Sequence, residues 1–125
     1  MLMWYQALLD AIDTPRLLHA DLWDGNVLVR PMSSGWEVAA IIDGDRALYG
    51  DIDFEFASGW MMTDAFFDGY GARPAETPEC QRRRLLYKLL YELNDFNISL
   101  IEYDKPQDAE GHLAQVRKLV AQLDG

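Results

Sequence analysis

Residues 19–43, HADLWDGNVLVRPMSSGWEVAAIID, decide how this chain is expected to fold. Two apolar runs, at 26–30 and 36–42, flank a segment that contains the turn signal Ser33-Ser34-Gly35. This pattern predicts a β-hairpin whose loop has about four or five residues. Because a hairpin places its two ends side by side, the polar residues before the first strand and after the second strand should meet.

Helical patterns account for most of the remaining chain. Apolar residues recur at spacings of three and four from Leu2 to Ile12, and Pro15 ends this first helix. Residues 16–18 read as a short extended run, and residues 43–50 read as a polar loop. Further helices are predicted over 51–70 in two pieces, from 79 to about 103, and over 107–123. Strands and helices are therefore segregated, which indicates an α+β, mostly α fold.

The length of the chain sets the expected domain organisation. Its 125 residues suit a single domain, since domains typically run to roughly 100–150 residues. Within this domain we expect a core over residues 1–58, which carries the hairpin and its polar loops. A helical subdomain is expected over residues 59–125.

The charge balance limits the expected partners. Eleven Lys and Arg residues stand against 21 Asp and Glu residues, giving a formal charge of −10. Such a surface repels phosphate backbones and anionic membranes, so neither nucleic acid nor a membrane is an expected partner. A cationic small molecule would instead be attracted.

Cysteine usage and the first residues indicate the compartment. Cys80 is the only cysteine, which excludes an internal disulfide and a cysteine-based zinc site. The start of the chain lacks the basic region of a signal peptide, and no apolar run approaches the ~20 residues that a membrane span needs. We therefore expect a cytoplasmic protein.

Three oxygen-bearing side chains should converge at the open end of the hairpin. Asp21 precedes the first strand, Asn26 begins it, and Asp43 follows the second. Carboxylate and amide oxygens suit Mg²⁺, which completes its coordination with water and substrate phosphates. Phosphoryl transfer is the first interpretation, and a metal-dependent hydrolase that uses the same carboxylates is a weaker one.

The spacing of these residues matches a known catalytic pattern. His19, Asp21 and Asn26 fit the form H-x-D-x-x-x-x-N of a phosphoryl-transfer loop, and Asp43 follows the next strand. The segments LLHADLWDGNVLV and AAIIDGDRALYGDIDFEFA resemble the catalytic core of the aminoglycoside phosphotransferase family, which includes the fructosamine kinases. The resemblance extends from about Arg16 to Ala57.

The resemblance implies a role for each matching residue. Asp21 would be the catalytic base for the attacking hydroxyl, while Asn26 and Asp43 would hold Mg²⁺ against the β- and γ-phosphates of ATP. His19 would brace the loop of residues 19–26, which is called the catalytic loop below. Two further acidic residues, in a segment where the family often has Gly-Asp-Pro-x-x-Asp-Leu-Ala, would support the site: Asp51 and Glu55.

The resemblance also implies what an active kinase adds to these loops. Such an enzyme has a Lys on a strand of its N-terminal lobe, a Glu paired with that Lys, and a cover over the phosphates. Residues 1–18 read as one helix and a short strand, and no Gly-rich loop occurs in the chain. We therefore interpret the chain as the C-terminal lobe of a protein-kinase-like fold, truncated or partial, with its nucleotide-binding lobe absent and its nucleotide-binding residues unknown.

Two hypotheses follow from this interpretation. The first is an ATP-dependent phosphotransferase that acts on a hydroxyl of a small, polar or cationic molecule such as an aminoglycoside or a fructosamine, with inactive or very weak catalysis by this chain alone. The alternative is a non-catalytic kinase-like interaction module. An apolar patch with Leu2, Trp4 and Tyr5 on the first helix predicts self-association or binding of a missing-lobe partner.

Overall fold

The computed structural model describes the backbone of residues 2–125 and the side chains from Tyr5 onward. Contacts divide the chain into two compact units, one formed by residues 10–74 and the other by residues 1–9 together with 75–125. The helices are α1 (Leu2–Asp10), α2 (Ile52–Ala57), α3 (Asp64–Tyr70), α4 (Pro78–Asn97) and α5 (Pro106–Asp124). The strands are β1 (Arg16–Leu18), β2 (Val27–Met32), β3 (Gly35–Ile41) and β4 (Leu48–Gly50).

The predicted hairpin is present in the 10–74 unit. Strands β2 and β3 pair antiparallel, from Val27 opposite Ile41 to Met32 opposite Gly35. The register shifts between Leu28 and Val29, so β3 carries one extra residue, Ala39, as a bulge. The hairpin therefore ends with Val27 and Ile41 side by side, and this pairing fixes where the two polar loops start.

A second strand pair corrects the predicted polar loop. Residues 43–50 were expected to have no regular structure, but Leu48–Gly50 forms β4 and pairs antiparallel with β1, with Arg16 opposite Gly50. A three-residue strand is too short to give a periodic pattern, and its partner lies some thirty residues away in the chain. The pairing anchors the far end of the loop that begins at Asp43.

Helices α2 and α3 confirm the predicted two-piece helical segment. The Asp51 side chain accepts a hydrogen bond from the Asp53 backbone and caps α2, and the Thr63 hydroxyl caps α3. Gly71, at φ 82°, ends α3 in the left-handed conformation that glycine adopts most readily. The Phe56 ring packs edge-to-face against Phe67 with ring centroids 5.4 Å apart.

The unit of residues 1–9 and 75–125 is built on α4 and α5. Helix α4 begins at Pro78 after the cap residue Thr77 and continues into a π-helical turn at Ile98–Glu102, close to the predicted end near residue 103. The predicted break before Pro106 is confirmed, since α5 starts there. His112 of α5 lies 2.8 Å from a Glu92 carboxylate oxygen of α4, which joins the two helices.

The predicted apolar patch on α1 falls only partly within the described side chains. Leu2 and Trp4 lie outside them. Tyr5 is half-buried, and its hydroxyl donates a hydrogen bond to the Leu123 carbonyl at 3.1 Å. The phenol therefore ties α1 to the end of α5.

The observed element order confirms the α+β, mostly α fold class. The single domain with a core over 1–58 and a helical subdomain over 59–125 stays a prediction. Within the described part of the chain, none of the helices combines the length and the apolar character required to cross a membrane.

Candidate active site

His19 connects the catalytic loop to the end of β3. Its Nε2 lies 2.7 Å from the Ile42 carbonyl, which can only accept a hydrogen bond. The Asp21 backbone N–H donates to Nδ1 of the same ring at 3.3 Å. Together the two contacts select the neutral tautomer with its proton on Nε2. The imidazole thus bridges the start of the loop and the residue before Asp43.

Asn26 orders the catalytic loop from its other end. Residues Asp24–Asn26 form a 3₁₀ turn in which the Asn26 N–H donates to the Trp23 carbonyl at 2.9 Å. The Asn26 side chain is buried, and its Nδ2 donates to the Asp21 carbonyl at 2.8 Å and to Asp21 Oδ2 at 3.2 Å. Because the NH₂ group faces Asp21, the Oδ1 atom is the end of this amide that can hold a cation.

Asp43 is brought next to this loop by a backbone contact. The Ile42 N–H donates to the Asn26 carbonyl at 2.9 Å, which extends the hairpin pairing by one step. Asp43 follows immediately; it is exposed and adopts a left-handed backbone with φ 62°. Asp tolerates that region better than most residues, since its short polar side chain can bond locally.

The donor chemistry of Asn26 and Asp43 fits a magnesium ion. Among the described residues, no group of three or more His, Cys, Asp or Glu side chains could hold a metal. An amide oxygen with one carboxylate is a smaller set, and it suits an ion that binds one or two carboxylates and fills its remaining positions with water and phosphate oxygens. The assignment of Mg²⁺ to Asn26 and Asp43 stays a prediction.

Glu55 supports the catalytic loop from helix α2. Its side chain is buried, and Oε2 accepts hydrogen bonds from the backbone N–H groups of His19 at 2.7 Å and Ala20 at 3.1 Å. Ala20 is also buried and has a left-handed backbone with φ 64°. One carboxylate oxygen therefore satisfies two loop donors and holds a backbone turn that alanine adopts at a cost of roughly 1–2 kcal/mol.

Asp51 reaches the site through helix α2. Its Oδ1 accepts from the Asp53 N–H at 3.1 Å, which satisfies one of the free donors at the start of the helix. The cap fixes where α2 begins, and Glu55 lies one helical turn after it. Asp51 thus sets the position from which Glu55 contacts the loop.

Arg46 joins the site without having been assigned a role from the sequence. Its Nη1 lies 3.7 Å from Asp21 Oδ1, and both side chains are partly exposed. The sequence offered one signal, since this arginine follows Asp43 by three residues within the segment that resembles the family. What the sequence could not supply was the pairing, which joins two loops separated by the whole hairpin.

The two oxygens of Asp21 differ in their surroundings. Oδ2 accepts from the Asn26 amide, whereas the polar partner of Oδ1 among the described residues is the more distant guanidinium of Arg46. The side chain is 28% exposed, so a solute can reach it. A carboxylate held in this way can accept a proton from a hydroxyl placed against Oδ1.

Comparisons with known proteins show which family and which relatives this chain is similar to. A family model described as a phosphotransferase enzyme family matches residues 1–86. The chain is 35% identical over 96 residues to a probable ketoamine kinase of Synechocystis sp., covering 74% of this chain and 31% of the relative. It is 36% identical over 86 residues to the ketosamine-3-kinase of Mus musculus, covering 66% of this chain and 26% of the relative.

A plant protein gives a similar match. The chain is 32% identical over 90 residues to the chloroplastic protein-ribulosamine 3-kinase of Oryza sativa subsp. indica, covering 70% of this chain and 25% of the relative. The chain therefore spans about a quarter to a third of the length of the curated relatives it matches.

Proposed function

Because this chain belongs to the phosphotransferase enzyme family, we propose that it carries the catalytic and metal loops of an ATP-dependent small-molecule kinase. The family match confirms the resemblance drawn from residues 16–57. We assign the hairpin and its loops to the C-terminal lobe of a protein-kinase-like fold. The reaction would transfer the γ-phosphoryl group of ATP to a hydroxyl of the acceptor.

Asp21 is the proposed base. The acceptor hydroxyl gives its proton to Oδ1, its oxygen forms a bond to the γ-phosphorus, and the bond between that phosphorus and the β–γ bridging oxygen breaks to release ADP. Asn26 holds the carboxylate through Oδ2, while Glu55 and His19 fix the backbone on which it sits. Positioning of this kind supplies most of what a protein contributes to phosphoryl transfer.

The metal assignment uses the remaining oxygens of the site. Asn26 Oδ1 and the Asp43 carboxylate would hold Mg²⁺, which when bound neutralises part of the charge on the β- and γ-phosphates. The observation that carries the proposal is the backbone of Ile42, because its N–H donates to the Asn26 carbonyl and its C=O accepts from His19. This one residue links the loop that follows β3 (residues 43–47) to the catalytic loop (residues 19–26).

The acceptor is proposed to be a sugar ketoamine. The three relatives described above, which match 66–74% of this chain, are named as kinases of ketoamines, ketosamines or ribulosamines. A ketoamine joins a sugar, which offers hydroxyls, to an amine that is protonated near neutral pH. The formal charge of −10 on this chain favours such a cation.

Manganese binding tests the metal assignment without requiring turnover. Mn²⁺ accepts the same oxygen ligands as Mg²⁺ and broadens nuclear magnetic resonance signals near it. In a titration of the chain we expect selective broadening of the Asn26 side-chain amide and the Asp43 and Gly44 backbone amides, reversed by excess Mg²⁺.

Two variants of the same loop provide the comparison. Asp43→Ala should abolish the selective broadening, and Asp45→Ala, which removes an equally exposed carboxylate two residues away, should retain it. If Asp43→Ala broadens as the wild type does, the metal assignment is wrong.

A further inference from the structure

Arg46 is the one described group of the site whose chemistry the proposed reaction leaves unused. We propose that its guanidinium alternates between two anions, pairing with Asp21 Oδ1 in the free chain and with the terminal phosphate when a polyphosphate binds. This inference rests on the proposed function, because it assigns Arg46 to the same site. The observation behind it is the ion pair between Arg46 Nη1 and Asp21 Oδ1.

The geometry of this ion pair leaves the guanidinium available. At 3.7 Å the contact is too long for a hydrogen bond, so Arg46 is attracted to Asp21 without donating to it. Among the hydrogen bonds and ion pairs of the described residues this is the only one that the side chain makes, and the side chain is 38% exposed. Arginine presents five donors in a planar fork that matches phosphate oxygens, and none of the five is committed.

The negative charge of the two loops favours a movement of Arg46 toward a bound phosphate. Within residues 19–26 and 43–47 it is the only Lys or Arg, whereas four carboxylates occur there: Asp21, Asp24, Asp43 and Asp45. A polyphosphate entering this surface meets like charge unless a cation turns toward it. Besides a bound metal, the guanidinium of Arg46 is the positive charge that these two loops offer to a phosphate beside the reacting groups.

The exchange would also release the base. While Asn26 donates to Oδ2, the positive charge of Arg46 lies 3.7 Å from Oδ1 and stabilises the carboxylate without donating to it. When Arg46 turns to a phosphate, Oδ1 becomes open to the acceptor hydroxyl. Phosphate binding and availability of the base are then linked through one side chain, which makes Arg46 both a phosphate ligand and a switch for Asp21.

Inorganic Mg²⁺–tripolyphosphate is the probe, because it presents the phosphates without a nucleoside. Titrations of the chain are followed by the Arg46 Nε–H signal and the Asp21 backbone amide in ¹H–¹⁵N spectra. Wild type should give saturable shifts of both signals. Arg46→Gln should weaken binding about tenfold, the effect of one lost hydrogen bond to a charged group, and Arg46→Lys should weaken it less.

The control removes an equal charge elsewhere in the same compact unit. Arg30 is exposed and pairs with Glu37 across the hairpin, so Arg30→Gln should leave tripolyphosphate affinity within about twofold. The proposal is overturned if wild type gives no shift of the Arg46 signal, or if Arg46→Gln binds the probe as the wild type does.

A double-mutant cycle separates exchange from simple charge repulsion. Asp21→Asn should tighten tripolyphosphate binding about three- to tenfold by releasing Arg46, and that gain should be smaller when Arg46 is already Gln. An equal gain in both backgrounds would mean that Asp21 only repels the probe, and would overturn the exchange.

Two outcomes distinguish a failure of the proposed function from a failure of the role proposed for Arg46. If the chain transfers phosphate from ATP to a fructosamine and Arg46→Gln leaves the rate unchanged, the role of Arg46 is wrong and the kinase assignment is retained. Tripolyphosphate exchange at Arg46 without any detectable transfer would retain the role of Arg46 and favour the non-catalytic alternative over the kinase.

Discussion

The catalytic loop and the hairpin that follows it are held in opposite ways. In the loop, Asn26 and Glu55 are buried polar residues whose bonds fix the backbone around Asp21. The hairpin instead exposes its apolar side chains, between 47% and 73% of each: Leu28, Val29, Met32, Trp36, Val38 and Ile41. Hydrogen bonds of buried polar residues thus fix the backbone around Asp21, whereas the apolar side chains of the hairpin are not covered by other described residues.

This contrast has an energetic meaning. A two-stranded hairpin is marginally stable by itself, and its stability normally comes from packing on one face. Exposed apolar strands are also surfaces on which other chains pair. We therefore expect substitutions in the loop to cost stability and activity, and substitutions on the hairpin to change association.

The largest expected effect is on catalysis, at Asp21. Asp21→Asn removes the proposed proton acceptor while preserving shape, so phosphoryl transfer to a fructosamine should fall about 10²–10⁴-fold. The measurement is ATP-dependent phosphate incorporation with radiolabelled ATP at high chain concentration, because only very weak catalysis is expected of this chain alone. Asp24→Asn changes an exposed acid of the same loop and should leave the rate close to that of wild type. Similar rates for both variants would contradict the role of Asp21.

The next effect is on stability, at Glu55. Glu55→Ala leaves the N–H groups of His19 and Ala20 without their acceptor, which should lower the free energy of unfolding by roughly 2–4 kcal/mol. Urea denaturation followed by circular dichroism measures it. Glu37→Ala, which breaks an exposed ion pair on the hairpin, should cost less than about 1 kcal/mol. Equal costs would remove the contrast between loop and hairpin.

The hairpin itself gives a third, smaller effect. If its exposed face associates with a second copy, Trp36→Thr or Val38→Thr should raise the dimer dissociation constant about tenfold or more through the loss of buried apolar area. Leu17→Thr, an equally exposed apolar site on β1, serves as the control. Sedimentation that shows only monomer for wild type at every concentration would count against association.

The smallest expected effect is at Ala20. Replacing it with Gly relieves roughly 1–2 kcal/mol of left-handed strain but loses about 0.8 kcal/mol of methyl burial and adds about 0.5–1 kcal/mol of unfolded-chain entropy. The net change should lie within about 1 kcal/mol of zero.

A buried alanine in ordinary helical conformation is the matched comparison for Ala20. Ala57→Gly in α2 gains no strain relief, so it should cost about 1–2 kcal/mol in the same denaturation experiment. If both alanine variants lost the same stability, the left-handed strain at Ala20 would carry no energetic weight.

The sequence predicted the features that depend on periodicity and motif spacing. Apolar runs bounded by turn residues predicted the hairpin and the two successive helices α2 and α3. The hairpin in turn predicted that Asn26 and the Asp43 loop would meet. Strand β4 escaped prediction because three residues make no pattern. The bulge at Ala39 depends on the register of pairing, which residue types in one strand do not determine.

The sequence nominated the candidate site residues, whose roles stay predictions, but it did not give the contacts among them. The motif supplied His19, Asp21 and Asn26, yet the tautomer of His19 and the two different environments of the Asp21 oxygens depend on contacts across the hairpin. Arg46 was missed for the same physical reason, since a flexible side chain in a loop can reach many partners and only the folded geometry selects one.

The Ile42 main chain is hydrogen-bonded at both its N–H and its C=O, so this position contributes to the site through its backbone. The Ile42 side chain is itself 42% exposed, and both of these contacts are made by the main chain. A library of Ile42 variants should therefore tolerate most residues and reject proline, which has no N–H to donate. The amide proton of Ile42 should likewise exchange slowly with solvent, although the residue sits at the edge of an exposed sheet.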